Sequence, residues 1–217
     1  MPTTPDPQTA STRDNLRRAA LDLFASHGYH RTRIAEIVQR CGLTQAAFYW
    51  HFDSKLSLAL DLIAEGRAAM LATLRRGYRE RIDSVQDMVD NSQRWIVDLL
   101  QFALDNRQFM AILLARGHGA DVQVDRAIGE TRAAIYDALH ANIARAVELG
   151  MLPATAIDLR AGFVHRLIEG SIEWWLFGHD YDLAHRPQVD AATLAAQLVR
   201  FEFFGLSGDP AAARVRS

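Results

Sequence analysis

One cysteine in 217 residues excludes an internal disulfide, and with it the small secreted scaffolds held together by such links. Cys41 falls on an apolar helix face, where packing rather than redox chemistry is expected. Thiolate metal clusters are excluded on the same count. The chain also has no HExxH, no GxxxxGK[ST], no GxGxxG after a strand and no GxSxG turn. Metalloprotease, nucleotide-phosphate, dinucleotide and serine-hydrolase chemistry therefore have no visible seat, so neither a cofactor nor an enzymatic activity is expected. His27 and His30 are three apart at a helix end, a poor geometry for a metal. No apolar run approaches the roughly 18–20 residues that cross a bilayer. The opening MPTTPDPQTAST lacks the basic and apolar regions of a secretion signal. A cytoplasmic protein with no membrane partner is the expectation.

What is present points inward first. Hydrophobic residues make up 49% of the chain, enough for a sizeable core in one domain with an appendage, or in two. The net charge of −2 does not by itself suggest a nucleic-acid partner. The charge is unevenly spread, however. Residues 1–56 hold seven Arg and Lys against five acids, or +2, which leaves −4 on the remainder. A mildly basic head on an acidic body suits a protein that presents one end to phosphate.

Apart from loops, every segment reads as helix, which predicts an all-α fold. Helices are expected over 12–26, over 54–81, 84–106, 107–116 and 121–149, then from a Thr155–Asp158 capping box to Phe177, and over 190–205. Arg116-Gly-His-Gly-Ala120 reads as a flexible break. Residues 1–9 and 207–217 read as loose tails, and the junction between head (10–56) and body (57–206) falls inside a helix rather than in a linker.

The stretch TRIAEIVQRCGLTQAAFYWHFDSK, residues 32–55, carries the most information. Ile34, Ile37, Val38 and Cys41 recur at i, i+3, i+4 and i+7, one apolar helix face. Thr32 is expected to cap that helix, and Gly42 follows its last apolar position, where the chain needs positive φ. Thr44 offers a cap to a second helix, Gln45–His51, which begins with small or polar residues and ends in an aromatic cluster. A helix of this kind can enter a DNA groove with its first turn while its aromatic end packs and touches the backbone.

Over residues 11–60 the chain resembles the TetR family of bacterial transcriptional regulators. The matching run is LFASHGYHRTRIAEIVQRCGLTQAAFYWHFDSKLSL, with the Phe24…Gly28-Tyr29 corner, the Ile37–Gly42 turn and Tyr49…Phe52…Ser54-Lys55 at the family's spacings. The resemblance implies a three-helix DNA-binding head with its motif over 33–52, and a helical body that holds a ligand and dimerises through its last two helices. It also implies that Thr32 and Arg33 meet phosphate, that Thr44, Gln45, Ala46 and Ala47 face base edges, and that Tyr49, Trp50 and His51 touch sugar and phosphate. Lys55 would add a phosphate contact. The chain departs from the family at Ala46 and Ala47, where glycine and a hydroxyl or amide residue are common. Alanine can meet a thymine methyl but donates no hydrogen bond, so Gln45 is left as the first-turn side chain able to pair bidentately with adenine.

In the body, Trp95, Phe102, Phe109, Tyr136 and Phe163 either line a cavity for an apolar ligand or serve as ordinary core. Arg132, His140, Asn142 and Arg166 lie near the same apolar stripes, where a polar group would meet a ligand or be ion-paired at the surface. Trp174 and Trp175 cannot share one helix face, so one is expected in the core and the other at an interface. Together with Leu194, Leu198, Phe201, Phe203 and Phe204, they give the last two helices more apolar surface than a monomer should expose. The expected function is a homodimeric repressor that binds double-stranded operator DNA and is released by a lipophilic or amphipathic effector. Acyl-coenzyme A is one guess. The rivals are a ligand-dependent activator and a helical ligand-binding protein whose head no longer binds DNA.

Overall fold

The computed structural model describes residues 7–75, 84–116, 119, 121–178, 184 and 186–207. Among these residues the protein is all-α, with no strand. The helices are α1 (Pro7–His27), α2 (Ile34–Arg40), α3 (Gln45–Tyr49), α4 (Lys55–Leu74), α5 (Val85–Asp105), α6 (Arg107–Ala111), α7 (Val122–Glu148), α8 (Ile157–Phe177) and α9 (Ala191–Phe204). The last part of the long helix expected to reach 81, most of the expected break at 116–120 and the tail after 207 lie outside the described residues.

Several boundaries differ from expectation for local reasons. α1 starts at Pro7, so residues expected in a loose arm join the helix, with proline in the first turn where its missing N–H costs nothing. α2 is capped by Arg33 rather than Thr32: the Glu36 carboxylate accepts from the Arg33 N–H at 2.9 Å, while the Thr32 hydroxyl turns back and donates to the Gly28 carbonyl at 3.0 Å. α6 passes directly into a π-helical turn over Ile112–Arg116, a departure from the i→i−4 ladder that the apolar pattern does not reveal. The capping box at the start of α8 does not form. Ala156 is the cap residue, in the left-handed region at φ 52°, because the Thr155 hydroxyl accepts from Arg160 and the Asp158 carboxylate lies 3.0 Å from the His140 ring.

The chain folds into two compact units, and α4 and α7 each contribute to both. The first comprises the chain up to Arg67 together with Asn106–Thr131, so the unit that holds the head extends past residue 56. Its core gathers Leu16, Ala20, Leu23 and Phe24 of α1, Ile37 and Val38 of α2, Phe48 of α3, and Leu58, Leu62 and Ile63 of α4. Arg13 and Arg17 both pair with Asp61, at 3.0 and 3.1 Å, and Arg17 also meets Glu65, which ties α1 to α4. Gln108 donates to Asp22 at 3.1 Å, which ties α6 to α1.

The second unit comprises Ala68–Asp105 and the chain from Arg132 onward. Here α5 packs chiefly on α9, and both touch α8. Ile96, Leu99 and Leu100 of α5 are buried, as are Ile172, Trp175 and Leu176 of α8 and Leu194, Leu198 and Val199 of α9. Asn142 of α7 donates to the Leu74 carbonyl at 3.1 Å, satisfying one of the acceptors that the end of α4 leaves open. Glu169 receives both Arg132 and Arg166 at 2.7 Å. His165 beside it is buried, and that burial holds its pKa below the usual imidazole range.

Gly66 of α4 shows why a small residue is required at one point of the first unit. A Cβ there would overlap the ring carbons of Phe109, which is buried on α6. Gly66→Ala is expected to destabilise the protein by about 1–3 kcal/mol in urea unfolding, the usual cost of overfilling a packed contact. The double change Gly66→Ala with Phe109→Leu should recover part of that loss.

Candidate nucleic-acid interface

The head is built around Phe48. Its ring is fully buried, and it meets Tyr49 edge-on at 5.5 Å and Phe52 at 5.8 Å. A helix as short as the five-residue α3 has little stability of its own, so this anchor sets its position. The turn that delivers it is a Schellman motif: Leu43 N–H donates to the Val38 carbonyl at 2.8 Å, Gly42 N–H to Gln39 at 3.1 Å, and Gly42 takes φ 66°. The Thr44 hydroxyl then caps α3 by accepting from the Ala47 N–H at 3.2 Å. α3 ends at Tyr49 rather than at His51, and Trp50 and His51 continue as a turn.

Phe48 facing inward turns the other residues of α3 outward. Thr44, Gln45, Ala46, Tyr49 and Trp50 are exposed, and Ala47 and His51 are half-buried. Trp50 is 88% exposed, an extreme value for the largest side chain and one that packing within the unit does not account for. Arg31 and Arg33 are exposed at the start of α2, and Arg31 donates to the His27 carbonyl at 2.7 Å. Thr32 does not join them. The residue is 0% exposed, its hydroxyl is spent on Gly28, and it has no surface to offer a phosphate.

Lys55 is also placed differently from a free phosphate contact. Its ammonium sits 4.2 Å from the centre of the Tyr29 ring and donates to the Tyr29 carbonyl at 2.8 Å and the Thr32 carbonyl at 2.9 Å. One N–H remains for an outside partner. Desolvation lowers the lysine's pKa, with Glu36 opposing that shift. Lys55 therefore clamps the start of α4 to the loop before α2, a role its position in a motif could not reveal.

The residues expected in the body do not come together as one pocket. Phe109 is buried in the first unit. In the second, Tyr136 lies 6.1 Å from His140 and 6.0 Å from His165, its hydroxyl donates to the Asp158 carbonyl at 3.3 Å, and His140 faces the Asp158 carboxylate. Phe102 is half-buried on α5, and Arg166 is exposed and paired with Glu169. Trp95 lines a cavity of about 40 Å³ with Asn91, Asn142, Ile143, Val164 and Glu202. Phe163, 71% exposed, lines a separate groove of about 450 Å³ with Leu152, Leu167 and Phe201. Sequence reasoning missed Glu202, and its setting between Phe201 and Phe203 was the available signal. Of the expected interface residues, Trp174 and Phe201 are exposed, whereas Trp175, Leu194 and Leu198 are buried within the unit. The Trp175 indole donates to the Val189 carbonyl at 2.9 Å, which satisfies its one donor as the ring is buried.

Known proteins resemble this chain in sequence and in fold. The family model for bacterial regulatory proteins of the tetR family matches residues 16–62. The chain is 27% identical to the HTH-type transcriptional regulator AcrR of Shigella flexneri over 86% of its length and 89% of that protein. It is 25% identical to the HTH-type transcriptional activator FasR of Mycolicibacterium smegmatis, over 91% and 84%. Among solved structures, the TetR-family regulator PfmR of Thermus thermophilus superposes with a TM-score of 0.68 at 21% identity, covering 89% of this chain and 99% of that one. The regulator FadR of Bacillus subtilis, solved with stearoyl-CoA, gives 0.70 at 12% identity over 89% and 98%.

Replacing Lys55 with Met should lower the protein's unfolding free energy by about 1.5–3 kcal/mol, the range for hydrogen bonds made by a charged donor. Thermal unfolding followed by circular dichroism reads this directly. An unchanged melting temperature would mean that the clamp contributes nothing.

Proposed function

Because this chain is a TetR-family transcriptional regulator with a helix-turn-helix DNA-binding head, we propose that it is a homodimeric repressor released from its operator by a small amphipathic ligand. The observation that carries the DNA half is the outward row of Thr44, Gln45, Ala46, Tyr49 and Trp50 on a helix locked from behind by Phe48. In this reading α3 enters the major groove, Gln45 reads an adenine edge, and Ala46 and Ala47 meet thymine methyls. The Thr44 oxygen is already spent on its cap, which leaves its O–H as its one donor and places more of the discrimination on Gln45. Trp50, Tyr49, His51, Arg33 and the remaining N–H of Lys55 meet sugar and phosphate and set the register.

A single head grips too little DNA for a specific site, and a second copy supplies the other half-site. Leu159, Phe163 and Trp174 are exposed along one stripe of α8, and Phe201 is exposed on α9. This apolar surface is larger than a monomer needs and suits a two-fold contact in which each copy offers the same helices. The ligand half rests on the cavity and groove of the second unit, both lined by apolar walls with a few polar groups. A neighbour of the same fold was solved with stearoyl-CoA, an amphipathic molecule. A ligand that binds better to a body with the wrong spacing of its two heads lowers operator affinity by that difference in binding energy.

A gel shift with the DNA flanking the protein's own gene, at two salt concentrations, tests the reading. A discrete, salt-sensitive complex is expected, and no complex with any flanking fragment would overturn it. Gln45→Ala should cut the preference for operator over random DNA by about 1–3 kcal/mol while leaving random DNA bound as before. In sedimentation, Phe163→Glu with Trp174→Glu should convert the dimer to a monomer.

A further inference from the structure

The cavity in the second unit contains a polar group with nothing to bind. Trp95 Nε1 is buried and finds no hydrogen-bond partner among the described residues. Leaving such a donor dry costs its full desolvation, so a site that keeps one is suited to an acceptor brought from outside. The cavity around it, about 40 Å³, exceeds the space needed for one water-sized group and also presents Asn91 and Asn142. One N–H of the Asn142 amide is spent on Leu74, which leaves its second N–H and its oxygen, an acceptor.

The charge at this site is one-sided. Glu202 lines the cavity, and none of the described residues lining it is cationic. Ile143, Val164 and Glu202 also line the outer groove of about 450 Å³, so the carboxylate stands where the two spaces meet. Apolar crowding pushes its pKa upward, and the solvent that the residue still meets limits the size of that shift. A negative head placed here would face the Glu202 carboxylate with no cation among the described lining residues to offset it. Arg160 lines the outer groove only, and its guanidinium already donates to the Pro153 carbonyl at 2.7 Å and the Thr155 hydroxyl at 3.2 Å.

Resting on the ligand-released reading above, we propose that the effector is a lipophilic amine with a hydrogen-bond acceptor beside its nitrogen, held by Glu202 and Trp95, and not an acyl anion. The protonated nitrogen meets the Glu202 carboxylate, and an adjacent hydroxyl, ether or carbonyl oxygen accepts from the Trp95 indole. The apolar tail leaves along Ile143 and Val164 into the outer groove, past Leu152 and Leu167. Phe163 and Phe201 stand at the rim of that groove and also belong to the face proposed for the two-fold contact, so the partner copy would cover the groove's mouth. Trp95 thus supplies a directional hydrogen bond, Glu202 selects the sign of charge, and the groove provides most of the buried area.

Three probes of matched length test this below their micelle concentrations: 2-(decylamino)ethanol, 2-(decyloxy)ethanol and decyloxyacetate, which are cationic, neutral and anionic. The whole protein's binding is read by Trp fluorescence and thermal shift, and operator release by gel shift. The cation should bind roughly tenfold more tightly than the anion, with the neutral probe between them. Glu202→Gln should bring cation and neutral probe to within about threefold of each other, and Trp95→Phe should weaken all three probes, each of which carries an acceptor oxygen, while leaving decylamine, added as an oxygen-free control, unchanged. Equal or tighter binding of the anion, no binding by any probe, or an unaltered order in Glu202→Gln would each overturn the proposal. Binding in the expected order without operator release would leave the head-group chemistry standing and remove the release mechanism. Operator binding that responds only to the anion would do the reverse.

Discussion

The Lys55 ammonium, seated on the Tyr29 ring and donating to the carbonyls of Tyr29 and Thr32, is the contact on which the geometry of the head depends. Helices of seven and five residues cannot hold themselves in water, so their placement comes from outside them. Phe48 anchors α3 from below, and the arginine pairs with Asp61 tie α1 to α4. Lys55 closes the remaining corner by joining the end of α1, the start of α2 and the start of α4 through one charge. Two carbonyls in a loop that no ladder satisfies gain a partner, and the loop before α2 gains a fixed path.

That arrangement explains why the outward face of the head is so unequal in chemistry. Each group near the motif that is drawn into the scaffold is lost to an outside partner: Thr32 to Gly28, two donors of Lys55 to the loop, the Thr44 oxygen to its cap. What remains exposed is the row of Thr44, Gln45, Ala46, Tyr49 and Trp50, together with Arg31 and Arg33 before α2. Rigidity and recognition thus divide the residues between them, and the division follows from which polar groups must be satisfied when buried.

The second unit follows a different rule. Its helices are long enough to bury broad apolar stripes, and Trp175 and Phe177 lie in that core. The exceptions are informative because they break that rule. Trp95 keeps a buried donor without a partner, Glu202 brings a carboxylate among aromatic neighbours, and Phe163 and Trp174 stay in solvent. A core made only for stability would have removed each of them.

Much of the molecule was legible in the chain. The helical periodicity from α1 to α9, the glycine that turns α2 into α3, and the Thr44 cap are local properties, set by a few adjacent residues, and the structure has them where the pattern placed them. The TetR-like spacing from Phe24 to Lys55 was legible for the same reason, since a head of three short helices leaves little freedom in its contacts. Other features turned on which of several partners won a polar atom, near or far along the chain. Arg33 rather than Thr32 caps α2, Ala156 rather than Thr155 caps α8, and the expected pocket residues scatter between two units. Each outcome turned on competition for one polar atom or one buried volume, and the competitors run from Gly28, four residues from Thr32, to His140, 18 residues from Asp158. Sequence by itself determined the elements and the partner class of the head, because periodicity and turn chemistry are short-range. Tertiary structure alone decided which side chains stay free to act, because only packing settles who satisfies whom.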